Sequence, residues 1–176
     1  TTIMVVLPLG FYFLKNPADF LGRTTQVSIF NSEPPLKDLS LNILKTAGMF
    51  NVSGDYNWRH NISGKPLLFW PVGILFLIGL FFSFKNFKRL FFWLSWLAVA
   101  ALPVVVSNES LPHALRAILM IPPTFVLVAF GALKTNEWIS KFIGSRRREL
   151  IILYSIFFIL LSLETYSSYF LNWSRN

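Results

Sequence analysis

Four stretches of this chain, residues 66–84, 90–106, 114–133 and 150–166, are apolar around their whole circumference and are long enough, or nearly so, to cross a bilayer. A spanning helix needs about 20 mostly apolar residues, with about 17–25 tolerated. A helix on the surface of a soluble domain carries a single apolar stripe instead. A fifth apolar stretch, residues 1–14, is shorter, as expected of a span cut at its start. Prolines 71, 103, 122 and 123 lie inside or near the ends of these stretches. Membrane helices tolerate such breaks where neighbours satisfy the freed backbone groups. The expectation is an all-α, polytopic membrane protein with about five spans. The apolar start, without a basic leader or an initiator Met, reads as a chain cut from something longer.

Composition supports this reading and removes others. Only 14% of residues are charged, against about 25% in a soluble domain. The formal charge of +8 does not indicate a nucleic-acid partner, because the basic residues collect between spans, where they report topology. Lys85, Lys88 and Arg89 follow the 66–84 span, and Lys134, Lys141 and residues 146–148 precede the last one. By the positive-inside rule these connections are cytoplasmic. The long segment 15–65, the turn 107–113 and the tail 167–176 then face outward. With no cysteine, the chain offers neither a disulfide framework nor a thiolate metal site.

The outward segment 15–65 has internal order. Residues 17–23 form a candidate short surface helix, and residues 29–35, with Pro34 and Pro35, break it. Residues 36–50 place Leu39, Ile43, Leu44 and Ala47 at helical spacing, while Lys37, Asp38 and Lys45 fall elsewhere. That pattern is an amphipathic helix lying on the membrane surface.

Between that helix and the 66–84 span runs GDYNWRHN, residues 54–61. Arg59 offers a planar fork suited to phosphate or carboxylate, and His60 titrates near neutral pH. Asp55 can accept hydrogen bonds or act as a base. Asn57 and Asn61 suit sugar hydroxyls, and Tyr56 and Trp58 can stack on a sugar or join an interfacial aromatic belt. A polar loop at headgroup level, with Arg59 paired to Asp55 or to a lipid phosphate, explains the same residues. A second cluster opens the 114–133 span, where His113 and Arg116 are three apart and share one helix face. An arginine there faces a cavity or partner, or snorkels to the headgroups; cations beside a helix N-terminus also seat a phosphate. Glu164 can pair with Arg116 or Lys65 or lie at the water boundary, and Glu109 is expected to be solvated. Asn51, Asn61, Asn108 and Asn172 each open an Asn-x-Ser sequon, read as chance occurrences.

No phosphate-binding glycine loop, HExxH or Gly-x-Ser-x-Gly element is present, which removes the nucleotide, zinc-protease and serine-hydrolase signatures. His60 and His113 stand far apart in the chain, so no metal site is expected.

The run KTAGMFNVSGDYNWRHNISGKPLLFWPVGILFLIGL, followed by LPHALRAILMIPPTFVLVAFGAL, resembles the C-terminal half of bacterial membrane glycosyltransferases of GT-C type, in the protein-mannosyltransferase-like superfamily. The resemblance covers about residues 15–170. It implies transfer of a sugar from a polyprenyl-phosphate donor to a protein, lipid or glycan acceptor on the outer membrane face, with no certain cofactor. The catalytic acid of that family lies in an outer loop upstream of these residues. The resemblance therefore assigns Arg116, His113, Arg59 and His60 to the donor phosphate, and Asp55, Asn57, Trp58 and Asn61 to orienting the sugar or the loop. The rival readings are a transporter or flippase for a lipid-linked sugar, and a structural membrane subunit. Transport requires polar groups near the bilayer midplane, and the span centres here are almost wholly apolar, with Ser95 and Thr124 as weak exceptions.

Overall fold

The computed structural model describes residues 2–27, 29, 34–107, 109, 111–143 and 147–175. The described chain is helical. Its elements are α1 (Thr2–Lys15), α2 (Pro17–Val27), α3 (Pro35–Gly48), α4 (Trp70–Lys85), α5 (Phe87–Val105), α6 (Ile121–Ile143) and α7 (Arg147–Tyr166). A 3-10 turn, Ile118–Met120, leads into α6, and π-helical turns, Ser167–Trp173, prolong α7. Three helical stretches are long and apolar enough to cross a membrane: Phe87–Val105, Ile118–Lys141 and Arg148–Trp173. Val6–Lys15 and Trp70–Lys85 are apolar but shorter.

Several boundaries differ from the sequence reading, for local reasons. The 66–84 stretch becomes a helix only at Trp70. Its first four residues instead return to the end of α3, where Leu67 and Leu68 donate backbone N–H groups to the Met49 and Phe50 carbonyls at 2.9 and 3.0 Å. Pro71 then sits in the first turn of α4, where its missing N–H costs nothing. At 16 residues, α4 is about 24 Å long at 1.5 Å per residue, short of a hydrocarbon core of about 30 Å. Residues 114–117 form turns rather than helix, and α6 starts at Ile121 and continues through Lys134 and Lys141, residues expected in a loop. The expected outward tail is helical as far as Trp173. Residues 30–33, Asn108 with its sequon, and Arg146 lie outside the described residues.

Helices α4 and α6 form the tightest pair. A Cβ added at Gly79 would overlap the Leu127 carbonyl, and one at Gly131 would overlap the Leu75 carbonyl. Small residues let membrane helices approach this closely. The core lies toward one end of the bundle, where Met49, Phe50, Leu68, Val72, Phe76, Val104, Ala117 and Leu127 pack together. At the other end Asn86 alone joins α4 to α5, its side chain donating to the Phe82 carbonyl at 3.0 Å. Lys85, Lys88, Arg89 and Lys141 lie toward that second end, at the termini of α4, α5 and α6, and Lys134 lies in the C-terminal half of α6.

Helix α3 turns two of its polar residues inward. Asn42 and Thr46 are buried, while Leu36, Ile43 and Leu44 are 78%, 51% and 67% exposed. The Asn42 amide donates to the Val105 and Ser107 carbonyls at 3.0 and 3.2 Å, capping the C-terminal end of α5. The apolar face is thus left for the surroundings, the arrangement of a helix resting on a membrane surface. On α7, likewise, none of the span is buried within the chain. Such an apolar surface suits hydrocarbon and is rarely left open to water.

Candidate functional site

The loop between α3 and α4 is built around its own backbone. The Gly54 N–H bonds the Gly64 carbonyl at 3.2 Å, and the Gly64 N–H bonds the Asp55 carbonyl at 3.0 Å. Gly64 has φ +73°, a left-handed conformation that glycine adopts without strain, and the Tyr56 ring packs on it. The Asn61 amide bridges the Asp55 and Lys65 carbonyls at 3.3 and 2.5 Å. Two of the expected sugar-facing residues therefore serve the loop itself: Asn61 spans it, and the Asn57 side chain accepts the Arg59 N–H at 3.1 Å. Trp58 contributes its carbonyl, which accepts the Trp173 indole N–H at 2.7 Å.

This scaffold holds Asp55 as a centre. Its side chain is 3% exposed. Oδ1 accepts the Asn57 N–H at 2.8 Å. Oδ2 accepts the Ala114 N–H at 2.9 Å and lies 3.2 Å from His60 Nδ1 and 3.9 Å from His113 Nδ1. The two imidazoles stack with centroids 4.9 Å apart. His113 Nδ1 is buried without a hydrogen-bond partner. Burial holds the His113 pKa below its ordinary value, aided by the nearby Arg116 charge and opposed by Asp55. The sequence reading set the two histidines apart; the fold unites them, because the turn before α6 docks on the 54–61 loop through Asp55.

The two arginines have separate environments. Arg116 bonds Ser107 Oγ, the Glu109 carbonyl at 3.2 Å and Glu109 Oε2 at 2.9 Å. Glu109 is exposed, as expected, and is also the partner through which Arg116 brackets the turn. Arg59 is exposed and borders a cavity of about 430 Å³ walled by His60, Ala114, Ile118, Thr124 and Phe125. A neighbouring cavity of about 440 Å³ shares His60 and Phe125 and is rimmed by Lys65, Glu164 and Ser168. Lys65 bonds both Glu164 and Ser168, the pairing of Glu164 with Lys65 rather than Arg116. Lys65, Ser168 and Trp173 are site-rim residues that no local motif marked, since they meet only across the loop and the end of α7.

Both cavities have largely apolar walls and a rim of cationic, imidazole and hydroxyl groups. Such a combination can seat an apolar chain that ends in an anionic, hydroxyl-bearing head. No protein-family model, curated protein or solved structure matches this chain.

Proposed function

We propose that this chain forms the donor-binding side of a membrane glycosyltransferase. The reaction moves a sugar from a polyprenyl-phosphate carrier to a protein, lipid or glycan acceptor at the outer face of a bacterial plasma membrane. The observation that carries the reading is a pair of apolar-walled cavities that share His60 in their walls, next to Arg59 and the buried Asp55. The isoprenoid tail suits the walls, and the carrier phosphate suits the Arg59 and His60 rim. Negative charge develops on that phosphate as the sugar leaves, and a fixed cation stabilises it. Arg116, tied to Glu109, adds positive potential behind His113. In this reading α1 and α4 complete a set of five spans with the three longer helices. The basic residues at the opposite end of the bundle favour a cytoplasmic position for that end, which turns the loop end outward.

The test is sugar transfer from a radiolabelled polyprenyl-phosphate sugar by membranes containing the full-length protein, compared with Arg59→Ala and Asp55→Asn at equal membrane content. Transfer that falls sharply in both supports the assignment. Transfer unchanged in both removes this loop from the donor site. Carrier movement across proteoliposomes without any transfer would replace the enzyme with a flippase.

A further inference from the structure

Asp55, His60 and His113 present three ligand atoms that lie within 4.8 Å of one another. We infer that these three side chains form a binding site for a divalent first-row metal ion, with zinc the best-matched ion. Two imidazoles and one carboxylate form a donor set of catalytic zinc sites, which keep a further position for water or substrate.

Geometry supports the assignment. Metal–ligand bonds of about 2.0–2.1 Å place tetrahedral donors about 3.3 Å apart. Asp55 Oδ2 and His60 Nδ1 stand at 3.2 Å, already at that separation. His113 Nδ1 stands farther out, at 3.9 Å from the same oxygen, so metal binding draws its ring inward. Its nitrogen is buried without a partner, and a buried polar atom of that kind is costly unless something satisfies it. A cation between the three groups does so.

The surroundings are those of a supported ligand set. Metal-binding carboxylates are held by hydrogen bonds from outside the coordination shell, and both Asp55 oxygens accept backbone N–H groups, from Asn57 and Ala114. The nearest cation, Arg116, is paired with Glu109, which reduces its repulsion of a metal ion. His60 and Ala114 also wall the 430 Å³ cavity, so a fourth ligand enters from there. An anionic oxygen, such as that of a phosphate, is the chemistry the position takes.

Metal binding is read without any activity, so its failure and that of the transferase reading are separate. The full-length protein, purified in detergent, is stripped with chelator, reloaded with Zn²⁺ or Co²⁺, desalted, and analysed for metal content and visible absorption. One equivalent per chain is expected, with a Co²⁺ spectrum of four- or five-coordinate intensity. His60→Gln and His113→Gln are each expected to weaken binding by at least about tenfold, the lower end of what loss of even an outer-shell partner costs. Wild-type protein that retains no stoichiometric metal overturns the inference, whatever the variants do. So does binding that is unchanged in both glutamine variants, because each variant removes one of the proposed ligands.

Discussion

His60 lies stacked on His113, ring centroids 4.9 Å apart, and Nδ1 of each lies within 3.9 Å of the same Asp55 oxygen. The contact joins the loop after α3 to the turn before α6, and Asp55 is the hinge pin of that junction. Asp55→Ala leaves the Asn57 and Ala114 N–H groups without an acceptor, at about 1–3 kcal/mol for each buried donor. Asp55→Asn retains one acceptor oxygen. Thermal unfolding in detergent should therefore rank wild type above Asp55→Asn and Asp55→Asn above Asp55→Ala. Equal melting of all three would show that the junction is held by something else.

Gly79 and Gly131 set the distance between α4 and α6. Gly79→Ala or Gly131→Ala drives a methyl group into the facing backbone, and overpacking of this kind costs about 1–3 kcal/mol. Gly10, with open space around its Cβ position, is the control. A melt in which Gly79→Ala behaves like Gly10→Ala would contradict the close packing.

Asn42 docks α3 on the bundle. Removing its two hydrogen bonds by Asn42→Ala leaves carbonyls at the end of α5 unsatisfied, for about 1–3 kcal/mol. Since the apolar face of α3 points away from the bundle, no hydrophobic contact on that face compensates. Backbone amides of α3 should exchange faster with deuterium in the variant, while those of α4 and α6 remain protected.

Lys65 and Glu164 join the loop to α7, both partly exposed at 34% and 26%. Ion pairs with this exposure contribute about 0.2–1 kcal/mol. A double-mutant cycle over Lys65→Met and Glu164→Gln should return a coupling in that range. A coupling near zero at low salt would mean that Ser168 alone holds Lys65.

Arg59 and Arg116 should separate by phenotype. Arg116 holds the 107–116 turn through Ser107 and Glu109, so Arg116→Ala lowers the melting temperature. Arg59 is exposed, and Arg59→Ala should leave stability within about 0.5 kcal/mol. On the donor-phosphate reading it cuts sugar transfer by about 10²–10³-fold, the effect of removing one preorganised donor. Transfer and melting measured on the same preparations distinguish the two outcomes.

The apolar runs were sufficient to read helical segments and, for three of them among the described residues, a membrane-compatible length, because a helix apolar on every side needs hydrocarbon or protein around it at any register. The amphipathic spacing of residues 36–50 was equally legible as a helix, since Leu39, Ile43 and Leu44 recur at helical period. The burial of Asn42 was not, because a carbonyl that needs capping sits on α5, distant in the chain. Helix starts moved for the same kind of reason: residues 66–69 are apolar as in a span, yet the Leu67 and Leu68 N–H groups bond the Met49 and Phe50 carbonyls. GDYNWRHN announced itself by composition, and its Arg59 and His60 line a common cavity. What composition could not supply was which groups pair. Asp55 sits with His60 and His113 rather than Arg59, Glu109 with Arg116, and Glu164 with Lys65. Local pattern is governed by the periodicity of the helix, which the sequence carries alone. Pairing is governed by which helix ends the packing of α4, α5 and α6 brings together, and only the tertiary structure decides that.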